Sequence, residues 1–380
     1  LHIEQILIRQ PSDLVASLGT IKNSAADLLL IFGGAEHFTI PGLRESLSAA
    51  FPGALLLGCS TAGEITAKGV DDGTCTVTAV KFEQTRLSQG STRLAGMDDS
   101  FAAGERLGKQ LAVADLKAVL IFGPGLQING SALVNGITSI IGTGIPITGG
   151  LAGDGGAFKE TFTIGPDGVA NDQIVAVGLS GEGLRFGHGS FGGWEPFGPA
   201  RKVTRSDGNI LHELDGEPAL EIYRRYLGEH AKDLPASGLL FPFAMLGEDH
   251  SAVGLIRTIL GIDETSGSLI LAGEIDPDGY LRLMHASTDK LVNGAESAAE
   301  AAAAMQQGSG ESLAILVSCV GRKLVMGDRV DEEVEAVGDV LGNTGVLTGF
   351  YSYGEISPFT PGASCKLHNQ TMTITCLSEA

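Results

Sequence analysis

The sequence predicts an α/β protein of two related halves, each a mixed sheet packed by helices. A unit of helix, apolar strand, second helix, strand and returning hairpin recurs along the chain. In each copy the second strand runs into a turn of glycine and an acid: Gly63-Glu64, Gly153-Asp154, Gly273-Glu274 and Gly354-Glu355. Hairpins give antiparallel neighbours and a strand-helix-strand passage favours a parallel one, so each sheet should be mixed.

In the first copy, 11–18 is a short helix, 28–32 a buried strand, and 41–51 a helix with Pro41 in its first turn. Strand 54–57 then reaches Gly58-Cys59-Ser60-Thr61-Ala62-Gly63-Glu64-Ile65, and 75–82 returns with strict alternation. The second copy has helix 100–111, strand 118–123, helix 131–141 and strand 146–150. Its hairpin turns at Gly165-Pro166-Asp167-Gly168, where Pro presets φ and Gly is free to take a positive one. The third copy is degenerate: helix 217–227, strand 239–245, strand 269–275, and a turn at Asp276-Pro277-Asp278-Gly279 into 280–285. The fourth has an Ala-rich helix 295–306, strand 313–317 and helix 331–341, whose first residues Asp331-Glu332-Glu333 suit the helix dipole. It ends in Leu347-Thr348-Gly349-Phe350-Tyr351-Ser352-Tyr353-Gly354-Glu355-Ile356 and the answering Cys365-Lys366-Leu367-His368-Asn369-Gln370-Thr371-Met372. The Pro- and Gly-broken stretch Gly192-Gly193-Trp194-Glu195-Pro196-Phe197-Gly198-Pro199 places the join near 198–207 and the domains at 1–200 and 201–380.

Composition limits the function. Apolar residues make up 43% of 380, enough for a large core, and the 55 glycines imply many tight turns. A formal charge of −20, with 45 acids against 25 bases, disfavours nucleic acid and anionic membrane, which are bound through Lys and Arg. The five cysteines, Cys59, Cys75, Cys319, Cys365 and Cys376, form no C-x-x-C pair, which favours a reducing cytoplasm. No apolar run approaches the roughly 18 residues of a membrane span, so no insertion is expected.

Two stretches carry a family resemblance. The run from Gly58 to Ile65 resembles the N-terminal signature of the FIST sensory domains, and the run through Tyr353-Gly354-Glu355-Ile356 and Leu367-His368-Asn369-Gln370-Thr371-Met372 their C-terminal one. Gly187-His188-Gly189-Ser190, Leu214-Asp215-Gly216-Glu217-Pro218 and Leu239-Leu240-Phe241-Pro242 are similar to the stand-alone bacterial branch, which includes nitric oxide sensing proteins that bind haem and act on a partner histidine kinase. The resemblance implies ligand sensing by haem b, with output through a separate kinase. A non-haem sensor of a small, amino-acid-like metabolite is the alternative.

The candidate site residues follow from the same runs. Cys59, Ser60 and Thr61 sit at a strand exit resembling a nucleophile elbow, but Ala62 replaces its second glycine. A turn that walls a pocket is therefore preferred, with a hydrolase using Cys59 or Ser60 ranked third and no enzyme expected. Glu64, Asp154, Glu274 and Glu355 either work as acid/base pairs or accept turn N–H groups, the second being preferred. Glu64 and Glu355 could instead hold a ligand amine in one cleft. Tyr351 and Tyr353 could line a pocket, and Asn369 stands beside the Gly-Glu turn. His188 and His368 are the candidate iron ligands, against a structural role for each in hydrogen bonding. His2, His37, His212, His230, His250 and His285 read as ordinary surface or core residues.

Overall fold

A computed structural model describes residues 1–380 except 22–24, 307–310, 343–344, 360–361 and 363. Three units share one order of elements. The first holds β1 (His2–Ile8), α1 (Leu14–Leu18), β2 (Leu28–Gly33), α2 (Ala35–Phe38), α3 (Leu43–Ala50), β3 (Leu55–Ser60), the hairpin β4 (Glu64–Thr66) and β5 (Gly69–Asp71), and β6 (Cys75–Lys81). The second holds β7 (Arg86–Arg93), α4 (Ser100–Leu111), β8 (Leu116–Gly123), α5 (Gly130–Ile141), β9 (Ile147–Leu151), the hairpin β10 (Thr163–Gly165) and β11 (Gly168–Ala170), and β12 (Gln173–Ser180).

The third unit is interrupted. After β13 (Leu184–Phe191) the chain leaves to build β14 (Glu195–Asp207), β15 (Ile210–Leu214), β16 (Glu217–Pro218), α6 (Ala219–Leu227), β17 (Phe243–Leu246), β18 (Ala252–Arg257), β19 (Ile259–Asp263), β20 (Ser268–Leu271) and β21 (Tyr280–His285). It then resumes with α7 (Thr288–Met305), β22 (Ser312–Cys319), α8 (Val320–Met326), α9 (Asp331–Leu341), β23 (Gly345–Ser352), the hairpin β24 (Gly354–Pro358) and β25 (Cys365–His368), and β26 (Met372–Glu379).

Each unit's sheet is completed by another unit's hairpin. The orders are β1-β6-β2-β3-β10-β11, β7-β12-β8-β9-β24-β25 and β13-β26-β22-β23-β4-β5. The first unit thus lends its hairpin to the third, the second to the first and the third to the second. β2 and β3, β8 and β9, and β22 and β23 pair in parallel, with antiparallel neighbours on either side, so the sheets are mixed as the sequence predicts.

The inner faces of the three sheets meet in one core that includes Leu30, Phe32, Leu120, Phe122, Ile315 and Phe350. At its end Phe32, Phe122 and Phe350, one from each unit, pack with ring centroids 4.8–5.6 Å apart. Helices cover the outer faces: Leu14 and Leu47 from α1 and α3, Leu107 and Ile137 from α4 and α5, Ala298 and Val337 from α7 and α9. Strands buried on both faces read as continuous apolar runs, which is why 28–32, 118–123 and 313–317 stand out in the sequence.

Gly58, Gly149 and Gly349 hold one equivalent position on the parallel pairs. A Cβ there would lie 2.0, 1.9 and 1.9 Å from the carbonyl oxygens of Ile31, Ile121 and Leu316. Glycine before each turn is thus fixed by sheet packing.

The segment read as a third copy is instead a separate, eight-stranded antiparallel sheet, β18-β17-β21-β14-β15-β20-β19 with β16 on β15. Its core, including Leu211, Ile222, Tyr223 and Leu269, draws only on this segment. The stretch 198–207 lies within β14. No helix among the described residues is long and apolar enough to cross a membrane.

Candidate functional site

A cavity of about 1090 Å³ opens between the three-unit body and the eight-stranded sheet, at the upper end of the size usual for small-ligand sites. The turn from β3 to β4 forms one wall. There Glu64, almost wholly buried, accepts hydrogen bonds from the Thr61 hydroxyl and from the N–H and hydroxyl of Thr74, both at 2.8 Å. Burial pushes its pKa up to about 7 despite these bonds. Gly63 sits at φ 136°, and a Cβ there would come within 2.5 Å of Lys323 Nζ. Glycine therefore admits the lysine, which reaches in from α8, donates to Ala62 O at 2.9 Å and to Asp72, and stands 5.4 Å over the Tyr351 ring.

A second wall comes from the loop after β9. Asp154 accepts N–H bonds from Phe158, Lys159 and Glu160 at 2.6–3.0 Å and a bond from the Tyr353 hydroxyl. Against the upward push of burial, these bonds hold its carboxyl below the usual range. The Tyr353 hydroxyl also accepts from Gly156 N–H at 3.1 Å, and its ring stacks on Phe158 with centroids 4.3 Å apart. The inserted segment supplies the facing wall, with Asp233, Leu234 and Leu239 from between α6 and β17 and Ile259 and Leu260 from β19.

Of the residues singled out in the sequence, Thr61, Glu64 and Asp154 line this cavity, and Tyr353 buttresses it through Asp154 and Phe158. Ser60 lies behind it, donating to Gly153 O at 2.7 Å and accepting from Phe162 N–H at 2.8 Å. Cys59 points into the three-sheet core, where burial pushes its thiol well above its ordinary pKa. Glu355 is buried elsewhere as the twin of Glu64: it accepts from Ser352 Oγ at 2.7 Å and from Thr371 N–H and O–H at 3.1 and 3.0 Å. Burial raises its pKa to about 8.

The other two turn acids do not share this position. The register of β10 against β3 puts Thr163 where Glu64 and Glu355 stand in their units, while Glu274 is exposed and accepts from Asn129 Nδ2 at 3.1 Å. Tyr351 is fully buried and donates to Glu333, which also accepts from Ser318 Oγ at 3.0 Å and from Arg322 Nη2 at 2.7 Å. Arg322 and Glu333 are completely buried. The run 331–333 is therefore more than a dipole-matched helix start, because its third acid is half of an internal ion pair. In the sequence, the pair Arg322-Lys323 between the apolar stretches 313–321 and 324–326 was the available signal, since a charge in an apolar run needs a partner. Asp72 and Leu324 had no comparable signal, and nothing told that Lys323 rather than Arg322 enters the cavity.

The family models for the FIST N domain and the FIST C domain match residues 27–217 and 219–358. The chain belongs to the FIST family. FIST domains are ligand-binding sensory domains of signal transduction. Among relatives, an uncharacterised protein of Methanocaldococcus jannaschii is 39% identical over 92 residues, covering 23% of this chain and 17% of that protein. An uncharacterised protein of Mycobacterium tuberculosis is 28% identical over 231 residues, 58% of this chain and 56% of that protein. The chain thus spans less than two thirds of the length of these curated relatives. A crystal structure of cyanuric acid hydrolase from A. caulinodans aligns over 100% of this chain and 98% of its own at 10% identity and a TM-score of 0.41, too low to carry a conclusion.

The haem of the nitric oxide branch can be tested against this FIST cavity. Haem iron is held by a His, Cys, Met or Tyr side chain, yet none of these is among the described residues that line the cavity. His368 is buried on β25, with Nε2 2.9 Å from Ser357 O and its pKa pushed down to about 4 by burial. His188 is buried on β13, where burial also lowers its pKa. Asn369, beside His368, is buried, and its Oδ1 has no hydrogen-bond partner among the described residues. The donor set of the cavity does not fit haem. Among the described residues no group of three or more His, Cys, Asp or Glu is placed to hold a metal ion.

Proposed function

We propose that this FIST protein senses a small, amino-acid-like zwitterion in the cavity and passes the signal to a separate partner, a histidine kinase being the one the sequence resemblance implies. The observation that carries the reading is the charge arrangement of the walls. Lys323 is the one base among the described lining residues, set among the acids Glu36, Glu64, Asp72, Asp154 and Asp233 with leucines between them. A ligand carboxylate would take the lysine, an ammonium group the acids, and an apolar side chain the leucines. Cys59 and Ser60 lie outside the cavity with the serine hydroxyl already bonded, which supports binding over hydrolysis at either residue.

A thermal-shift series with the common L-amino acids tests this, since a ligand that binds only the folded state raises its melting temperature. One or a few amino acids should give a saturable rise that the matching amine and the matching carboxylic acid each fail to give. Equal rises from the amine alone would sink the zwitterion reading.

A further inference from the structure

We propose that the eight-stranded sheet is a hinged lid that closes on the cavity, bringing Leu260 against Leu324 and Phe158, with Arg322 coupling the hinge to the cavity wall. As a regulation of the same cavity, the proposal rests on reading that cavity as the ligand site.

The lid is built to move as one piece. It has its own core, and the chain enters it through 192–194 and leaves it through 286–287, two crossings held side by side by the Glu195–His285 pair. Gly193 has a φ of 77° and packs so closely on α7 that a Cβ would lie 2.0 Å from Lys290 O. A two-stranded connection of this kind leaves rotation as the soft motion.

The lips of the cavity are apolar and exposed on both sides. Leu260 on the lid is 49% exposed, Leu324 on α8 54%, and Phe158 on the loop after β9 41%, although all three line the cavity. Closure buries them against one another.

The seam behind the cavity is polar. On the body side, buried His368 Nδ1, Asn369 Oδ1 and Gln370 Oε1 have no hydrogen-bond partner among the described residues; on the lid side neither has Thr258 Oγ1, next to cavity-lining Ile259. The lid touches this side where Phe359, stacked on His368, packs against Gly254 of β18 and where Gln370 Nε2 donates to Leu239 O at 2.9 Å. An apolar seam would resist opening, whereas the polar groups of this one can bond water as it opens. Loss of apolar contact on one side is thereby offset on the other, and two positions can lie close in free energy.

Arg322 joins the two ends. Its guanidinium donates to Gly192 O at the hinge and to Leu291 O at 2.8 Å on α7, while the next residue, Lys323, enters the cavity. A ligand that displaces Lys323 moves α8, and with it the group that holds the hinge.

Pulsed electron spin resonance on a Thr265→Cys/Asp328→Cys protein tests the hinge. Both positions are exposed, one on the lid and one beside the cavity on the body, and the five native cysteines are buried and escape labelling. Asp328→Cys with Val113→Cys gives the rigid-body control. The lid pair should show two distances, or a distribution at least twice the width of the control, and Leu324→Ser should deplete the shorter one. Arg322→Gln should change the ratio of the two. A single lid distance as narrow as the control overturns closure whether or not any variant folds. Two distances that no amino acid shifts would uphold the lid and refute the ligand reading.

Discussion

Glu355→Gln should abolish a definite part of the protein's pH dependence of stability. In the folded protein burial holds this carboxyl neutral, with a pKa raised from 4.5 to about 8. Because the folded value is the higher one, the stabilisation is fully present below pH 4.5, where both states are protonated, and is lost as pH rises through 8 while only the unfolded chain has ionised. Between pH 5 and pH 8 the linkage amounts to about 3–4 kcal/mol at most, and to roughly 2 kcal/mol if the three hydrogen bonds to Ser352 and Thr371 relax to favour the anion. Urea melts of wild type and Glu355→Gln at both pH values give the double difference, in which all other titrating groups cancel. Wild type should lose about 2–4 kcal/mol more than the variant between pH 5 and 8. Equal losses would show that Glu355 is ionised in the fold, and the reading of its burial would be wrong.

Gly349→Ala should destabilise by about 3 kcal/mol, because its Cβ would meet the Leu316 carbonyl inside the sheet and no flexible side chain is there to give way; denaturant midpoints check it. Arg322→Met should cost about 3–5 kcal/mol by leaving Glu333 buried without its cation, and adding Glu333→Leu should recover part of that loss. If the double variant is less stable than the single one, the ion pair is not what Arg322 contributes. One equivalent of haemin should give no sharp, saturable Soret band that His188→Ala or His368→Ala removes; such a band would restore haem sensing and name its ligand.

Local structure was largely legible. The helix read at 331–341 is α9 to the residue, and the apolar runs at 28–32, 118–123 and 313–317 fall within β2, β8 and β22, because double burial removes polar residues from a strand. The assembly was less so. Hairpin exchange between units leaves no local mark: Ile65 answers Gly349 across almost the whole chain, and nothing at 64–66 says so. The third unit was hidden because the lid separates β13 from α7, and the lid's own Gly-Glu turn at 273–274 mimics the others while standing exposed.

The site was legible only where the backbone demands a residue type. Gly63 and Glu64 announce themselves, since the turn needs a positive φ and a buried acceptor for Thr74. Lys323 does not, because its place depends on how α8 of one unit meets the turn of another. Asp154 was found for the wrong reason: the matching position in its unit is held by Thr163, yet the loop still carries the aspartate into the cavity.

The central claim is that Lys323 anchors an amino-acid-like ligand beneath the lid. Isothermal titration of wild type and Lys323→Met with the amino acid that gives the largest thermal shift tests it most directly. Removing the cation should weaken binding by about 30-fold or more, the equivalent of about 2 kcal/mol, with little change in melting temperature. An unchanged affinity in Lys323→Met, or no amino acid that binds the wild-type protein at all, would contradict it.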